Sequence, residues 1–218
     1  KMAKLVSTAN SRGYEILVVP ESLFKDISET KNPQGILAVV IMNIHGLKDI
    51  IEESVFKESV KRSSKYFVIL DAIQDPGNMG TIIRTADAAG FKGVIASKGC
   101  VDLYNPKVLR STMGSIFHIP IHLSHNLAET LEEIKANNIK IYAAHLKGSR
   151  YYYEVDMTQS AALIIGNEAK GVSPESEAIA DALVRIPICG RAESLNASVA
   201  AGLLMYEPLR QKVSREKP

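Results

Sequence analysis

Tryptophan is absent from the 218 residues, and cysteine occurs only twice, as Cys100 and Cys189. Two cysteines so far apart supply neither a disulfide framework nor a thiolate metal site. The histidines (His45, His118, His122, His125 and His145) lack metal-site spacing with carboxylates, and no Cys–His pair suggests a nucleophilic triad. No resident metal is therefore expected. No apolar run approaches the roughly 20 residues needed to span a bilayer, so no membrane is expected. No signal peptide is visible, which makes the cytoplasm the expected location. The Gly-x-Gly-x-x-Gly fingerprint of dinucleotide sites is missing, and so is the Gly-Lys-Ser/Thr of a phosphate loop. Net charge is only +2. It decides nothing about a nucleic-acid partner, because distribution rather than the sum governs binding.

What remains is an ordinary globular composition, 46% hydrophobic and 23% charged, long enough for one sizeable domain plus an appendage. The sequence opens on Lys1-Met2 rather than on an initiator methionine, so an N-terminal part is expected to be missing. Residues 1–45 read as the C-terminal part of a small α/β unit. It has a strand at 14–19, a short helix at 22–28 and an apolar strand at 35–44 after the Asn32-Pro33-Gln34-Gly35 turn. Residues 46–64 are charged and helix-prone, with Ile50, Ile51, Val55 and Val60 as apolar positions, and read as a linker. From residue 65 to 218 the pattern is α/β. Strands are expected at 67–70, 93–97, 115–121, 139–144, 161–165 and 183–188, and helices at 78–89, 106–113, 127–137, 174–180 and 197–206. Strands that are apolar on both faces predict a mostly parallel sheet covered by helices, with ligands at the carboxyl ends of the strands.

Three stretches carry the chemistry. The first is Asp71-Ala72-Ile73-Gln74-Asp75-Pro76-Gly77-Asn78-Met79-Gly80, leading to Arg84. Asn78 is a natural cap for the helix after the turn, and Gly80 permits a close approach by backbone or substrate. Arg84 lies among small and apolar residues and needs a partner. One reading is an ion pair with Asp71, Asp75 or Asp87; the other is a bidentate grip on an RNA phosphate or an ionising hydroxyl. The second stretch is Gly166-Asn167-Glu168-Ala169-Lys170-Gly171-Val172-Ser173-Pro174, small residues between a buried strand and a helix capped by Ser173. Glu168 could pair with Lys170 or Arg191. The third is Ile186-Pro187-Ile188-Cys189-Gly190-Arg191-Ala192-Glu193-Ser194-Leu195-Asn196-Ala197, where a strand breaks into a polar turn and Ser194 or Asn196 can cap a helix.

In this order the three stretches resemble the signature motifs of the SpoU (TrmH-type) RNA 2′-O-ribose methyltransferases of the SPOUT superfamily, over residues 67–205. Asn32-Pro33-Gln34-Gly35-Ile36-Leu37-Ala38 resembles the end of the family's N-terminal RNA-binding domain, of which only the last part is expected here. The resemblance implies a SPOUT-type α/β domain tied in a trefoil knot, a fold that connection rules alone would exclude. It also implies S-adenosylmethionine bound in the knot, and a homodimer packed through the knotted region. By position it casts Arg84, Asn78, Glu168, Ser194 and Asn196 as catalytic. Ala144, Gly166, Asn167, Glu168, Ile186, Ile188, Ser194, Leu195, Asn196 and Ala197 are cast as cofactor-binding. Glu168 would fix the second loop or Arg84 itself, and Pro208 is expected to end or kink the last helix near Glu207. Ribosomal RNA is preferred over transfer RNA because the N-terminal stretch resembles domains of the ribosomal enzymes. A knotted RNA-binding protein without catalysis, and a dinucleotide-dependent oxidoreductase, are the rivals. The oxidoreductase lacks its glycine fingerprint.

Overall fold

A computed structural model describes residues 2–28, 32–42, 44–52 and 64–216. The chain divides into two compact units, Lys1–Met42 and Asn43–Pro218. The first holds helices α1 (Met2–Ser11) and α2 (Glu21–Ile27). Helix α1 was not anticipated, and the expected strands at 14–19 and 35–44 do not form over the described residues. A strand is stable only when a neighbour takes its backbone hydrogen bonds. No such neighbour lies beside these stretches among the described residues, and Val18, Val39 and Ile41 stand almost fully in solvent.

The second unit opens with α3 (Leu47–Ile51), whose Leu47, Ile50 and Ile51 are buried. The stretch expected as linker thus begins as a packed helix of the domain; Val55 and Val60 lie outside the described residues. Seven strands follow: β1 (Tyr66–Asp71), β2 (Gly93–Ser97), β3 (Ile121–Ser124), β4 (Lys140–Ala144), β5 (Arg150–Tyr151), β6 (Ala161–Gly166) and β7 (Ala182–Arg185). They form one sheet in the order β3-β2-β1-β6-β4-β7-β5, and every adjacent pair is parallel. The helices between them are α4 (Pro76–Ala88), α5 (Pro106–Ser111), α6 (Leu127–Ala136) and α7 (Pro174–Ile179), and α8 (Ala197–Glu216) follows the last strand.

Alternation along the central strands divides the core into two layers. Tyr66, Val68 and Leu70 of β1, with Ala161, Leu163 and Ile165 of β6, pack with Met79, Ile82, Ile83 and Ala86 of α4 and Ala201, Leu204 and Met205 of α8. Phe67 and Ile69, with Ala162 and Ile164, pack with α3 and with Leu131 and Ile134 of α6. A strand buried on both faces must be apolar at every position, which is why the sequence shows runs and no period of two. Burial of each large aliphatic side chain contributes about 1.5–3 kcal/mol.

Four local expectations need correction. The N-cap of α4 is Asp75, which accepts a hydrogen bond from the Asn78 amide, and Pro76 takes the first helical position. Residues 115–117 form a 3₁₀ turn after Gly114, whose φ is +95°, so the strand begins later, at Ile121. β7 ends at Arg185, because Pro187 has no amide hydrogen to continue a ladder. Helix α8 does not stop near Glu207 but runs through Pro208 to Glu216. Buried Glu207 accepts from Arg210 Nε at 2.8 Å, Arg210 Nη2 at 2.6 Å and Gln211 Nε2 at 2.7 Å. Gln211 also donates to the Val155 carbonyl and accepts from the Met157 amide. These tertiary anchors offset the roughly 3 kcal/mol that an internal proline costs.

Candidate active site

The carboxyl ends of β1, β6 and β7 deliver the three polar stretches to one place, and a chain of side-chain hydrogen bonds joins them. Glu168, beyond β6, accepts from the Gln74 amide at 3.1 Å, the Asp75 amide at 3.1 Å and Asn78 Nδ2 at 3.0 Å. Asn78 uses its remaining acceptor, Oδ1, to take a hydrogen bond from Asn196 Nδ2 at 2.9 Å. Asn196 Oδ1 in turn accepts from the amides of Ser198 at 2.9 Å and Val199 at 3.3 Å, capping α8. Asn78 therefore joins the second stretch to the third from within the first. Glu168 meets neither Lys170, Arg191 nor Arg84; it fixes the turn before α4. Partial burial pushes Glu168 upward, but the Asn78 and backbone donors prevail and hold its carboxyl below the ordinary glutamate range.

The second loop closes on itself and on the first. The Asn167 and Gly171 backbones exchange hydrogen bonds at 2.9 Å each, and Asn167 Oδ1 accepts from the Ala169 and Lys170 amides. Asn167 Nδ2 reaches the Ala72 carbonyl at 2.7 Å. Asp71 accepts from both the amide and the hydroxyl of Ser173. Ala72 sits at φ +60°, a left-handed conformation that is strained for alanine, and its amide donates to Ser97 Oγ. Gly166 has no room for a side chain, because a Cβ would stand 2.2 Å from the Gly171 carbonyl carbon and the Val172 nitrogen. Its space is taken by its own loop. Gly80 likewise meets backbone, since a Cβ there would fall 2.4 Å from Ser111 Cβ and 2.8 Å from the Val108 carbonyl oxygen of α5. Ser173 caps α7 as expected, but sequence reasoning missed its pairing with Asp71 and the pairing of Ala72 with Asn167 and Ser97; no composition or spacing signal joins residues so far apart.

Arg84 is exposed on α4. The three candidate partners are engaged elsewhere: Asp71 holds Ser173, Asp75 caps α4 and Asp87 holds His118 at 3.2 Å. Arg84 has no ion-pair partner among the described residues, so the guanidinium is available to a ligand. Lys107 and Arg110 of the adjoining α5 are also exposed.

The turn after β7 is exposed for most of its length. Outside the strand ladders, residues 186–195 make no backbone–backbone hydrogen bond among the described residues. Of these, Ile186 and Ile188 are half-buried, while Ser194 and Leu195 are exposed. Ala144 ends β4 opposite Val184, and Ala197 begins α8. Gly148, in the loop between β4 and β5, lies so near β7 that a Cβ would meet the Leu183 carbonyl oxygen at 2.8 Å.

Residues 65–206 match the profile of the SpoU rRNA Methylase family. The chain belongs to the SpoU family. Residues 1–43 match the RNA 2′-O ribose methyltransferase substrate-binding family. The 23S rRNA (guanosine(2553)-2′-O)-methyltransferase RlmP of Bacillus subtilis is 39% identical over 89% of this chain and 72% of its own length. The putative TrmH family tRNA/rRNA methyltransferase YacO of the same organism is 34% identical over 96% of this chain and 82% of its own. An rRNA methyltransferase from Sinorhizobium meliloti superposes with a TM-score of 0.83 at 34% identity, over 96% of this chain and 77% of that one. AviRb from Streptomyces viridochromogenes, solved with its cofactor AdoMet, gives a TM-score of 0.67 at 36% identity, over 71% of this chain and 63% of that one. SpoU enzymes are RNA 2′-O-methyltransferases, and S-adenosylmethionine is the methyl donor.

Membership makes Glu168 a first point of test. Its folded-state pKa is lowered, so the stability it contributes is full above the ordinary glutamate value of about 4.3 and is lost as pH falls through the folded value. Glu168→Gln puts an amide NH₂ against donors at one of its two positions. Thermal melts should show the variant less stable than the wild type near neutrality, with the gap closing below about pH 4. A gap that persists unchanged into acid removes the carboxylate's assigned role.

Proposed function

We propose that this chain methylates a ribose 2′-hydroxyl of ribosomal RNA, with Arg84 as the group that acts on the reacting oxygen. The observation that carries the proposal is the Glu168–Asn78–Asn196 connection, with Arg84 exposed on the helix that holds Asn78 and without an ion-pair partner among the described residues. When bound, S-adenosylmethionine supplies a methyl group on a sulfonium, poised for displacement. The turn at 186–195, with Ala144, Gly166, Ile186, Ile188, Leu195 and Ala197, would hold that molecule, the turn through its exposed backbone. Asn78, Asn167, Glu168 and Asn196 are bonded to one another's loops, and their role is to fix the site's shape. Ser194, exposed in the turn, offers a hydroxyl to the substrate. A ribose hydroxyl is a poor nucleophile at neutral pH, so alignment supplies much of the rate. Arg84, permanently charged, stabilises the alkoxide as it develops and holds the adjacent phosphate through its planar fork.

Finer features belong to the same proposal. The close crossing of Gly148 over β7 supports a C-terminal segment threaded as a trefoil knot. Val199, Leu203, Tyr206 and Val213 form an exposed apolar stripe along α8, which supports a two-fold dimer through that helix. The 23S rRNA activity in the name of RlmP, and the substrate-binding match of residues 1–43, favour ribosomal over transfer RNA. The cytoplasm is where such RNA would be met. No helix among the described residues is long and apolar enough to cross a membrane, and no His/Cys/Asp/Glu cluster suited to a metal occurs among them; the reaction as proposed needs none.

The test is methyl transfer from labelled S-adenosylmethionine to 23S rRNA and to tRNA, with products digested by alkali. A 2′-O-methyl group blocks alkaline cleavage, so label in alkali-resistant dinucleotides from rRNA is expected. Light scattering on the same preparation should report a dimer. Label on a base, or none at all, overturns the reaction; label only in tRNA overturns the substrate.

A further inference from the structure

An aromatic column stands at the outer edge of the sheet. β5 pairs with β7 so that Tyr151 lies opposite Arg185, each at the carboxyl end of its strand. The Arg185 guanidinium carbon lies 4.3 Å from the Tyr151 ring centre. Tyr153 stacks on Tyr151 with centroids 5.4 Å apart and planes 8° from parallel. Tyr152 meets Tyr153 edge-on at 5.2 Å and 71°. Buried Arg185 Nε has no hydrogen-bond partner among the described residues, so the Tyr151 ring is the contact that holds this guanidinium. Tyr153 ends the column with 46% of its surface exposed.

Three features make this a ligand site and not a stray exposed ring. Its rings are already fixed against one another, so little side-chain entropy remains to be lost on binding. It lies at the end of the sheet where the active-site loops emerge, and the Tyr153 hydroxyl is raised by partial desolvation and by Tyr151, Glu154, Tyr152 and Cys189, the last a residue of the 186–195 turn. Two guanidinium groups, Arg185 and exposed Arg150, lie on the paired strands against one carboxylate, Glu154, which accepts from the Tyr151 amide; Arg210 near Tyr152 is neutralised by its pairing with Glu207. A flat π face set among guanidinium groups is the chemistry that takes an unpaired base and its phosphate.

We propose that the exposed part of the Tyr153 ring stacks an unpaired base of the RNA substrate, a neighbour of the nucleotide that is methylated. This rests on the RNA-methyltransferase reading above. Stacking of a base on an aromatic ring is worth roughly 5- to 100-fold in affinity, and because every base has a π face the contribution is tolerant of sequence.

Fluorescence anisotropy with a labelled single-stranded oligoribonucleotide tests it without requiring turnover, on wild type, Tyr153→Ala and Tyr153→Phe, each saturated with S-adenosylhomocysteine. Tyr153→Ala should weaken RNA binding about 5- to 100-fold, and Tyr153→Phe should bind like the wild type. In the methylation assay the alanine variant should show the same factor in the KM for RNA, with little change in kcat. Calorimetric affinity for S-adenosylhomocysteine, melting temperature and dimer mass should hold. Wild-type RNA affinity in Tyr153→Ala overturns the stacking site. A lost S-adenosylhomocysteine affinity reassigns the ring to the cofactor's adenine, and a monomeric variant reassigns it to the dimer surface; either overturns the proposal. A wild type that binds RNA but transfers no methyl group refutes the reaction while leaving the stacking result readable.

Discussion

Gly166→Ala should lose most binding of S-adenosylhomocysteine and melt roughly 10 °C below the wild type. One methyl group suffices, because a Cβ at this position would stand 2.2 Å from two backbone atoms and 2.4 Å from the Gly171 carbonyl oxygen. Backbone cannot rotate aside as a side chain can. Relief requires residues 171 and 172 to move, which breaks the paired Asn167–Gly171 hydrogen bonds. It also loosens Ser173, which anchors the loop to Asp71. Overpacking of this kind costs about 1–3 kcal/mol or more, and each broken hydrogen bond adds about 0.5–1.5 kcal/mol. At roughly 2–4 °C per kcal/mol for a domain of this size, the sum is a shift of the stated order. The resemblance to SpoU enzymes alone casts Gly166 as a cofactor contact, for which a larger residue would block binding and leave the melt untouched. Calorimetry beside a thermal melt separates the two. Lost affinity at an unchanged melting temperature would return Gly166 to the role of a bare cofactor contact.

The difference between those readings shows which parts of the site were legible in the sequence. The sheet was legible because β1 from Tyr66 to Leu70 and β6 from Ala161 to Ile165 carry no charged residue, a pattern that a doubly covered strand requires. The convergence of Asn78, Glu168 and Asn196 came from the family resemblance. Spacing alone left Glu168 with Lys170 or Arg191, and those alternatives are local in sequence where the observed partners are not. Ala72 gave no signal at all, because nothing about an alanine announces φ +60°; its conformation is imposed by Asn167 and Ser97 holding its carbonyl and amide. Residues 14–19 and 35–42 were misread because apolar composition reports a tendency to pair and not the presence of a neighbour. Pro208 misled in the opposite direction. A local breaker was overridden in part by Gln211, whose bonds to Val155 and Met157 lie far outside the local window.

Arg84→Lys should lower turnover on the order of 10²-fold while melting temperature and S-adenosylhomocysteine affinity hold. The sequence allowed a structural account, in which a guanidinium among apolar residues is rescued by a nearby aspartate. The structure removes the premises of that account one by one. Arg84 is exposed, so no desolvation has to be repaid. Asp71, Asp75 and Asp87 are each engaged with Ser173, the Asn78 amide and His118, so none is waiting for it. A side chain with no ion-pair partner among the described residues contributes little to their folding, and lysine in its place should not disturb the melt. Charge is preserved in the variant, so nonspecific attraction of RNA should also survive, and the KM for RNA should move far less than kcat. What lysine cannot supply is the flat pair of donors that, in the proposed reaction, would grip phosphate and developing alkoxide together. Single-turnover methylation isolates that step from product release. An Arg84→Lys enzyme that is stable and fully active would reduce Arg84 to one more positive charge on the surface. A variant that fails in turnover alone would fix the guanidinium's shape, and not its charge, as the feature this helix exists to present.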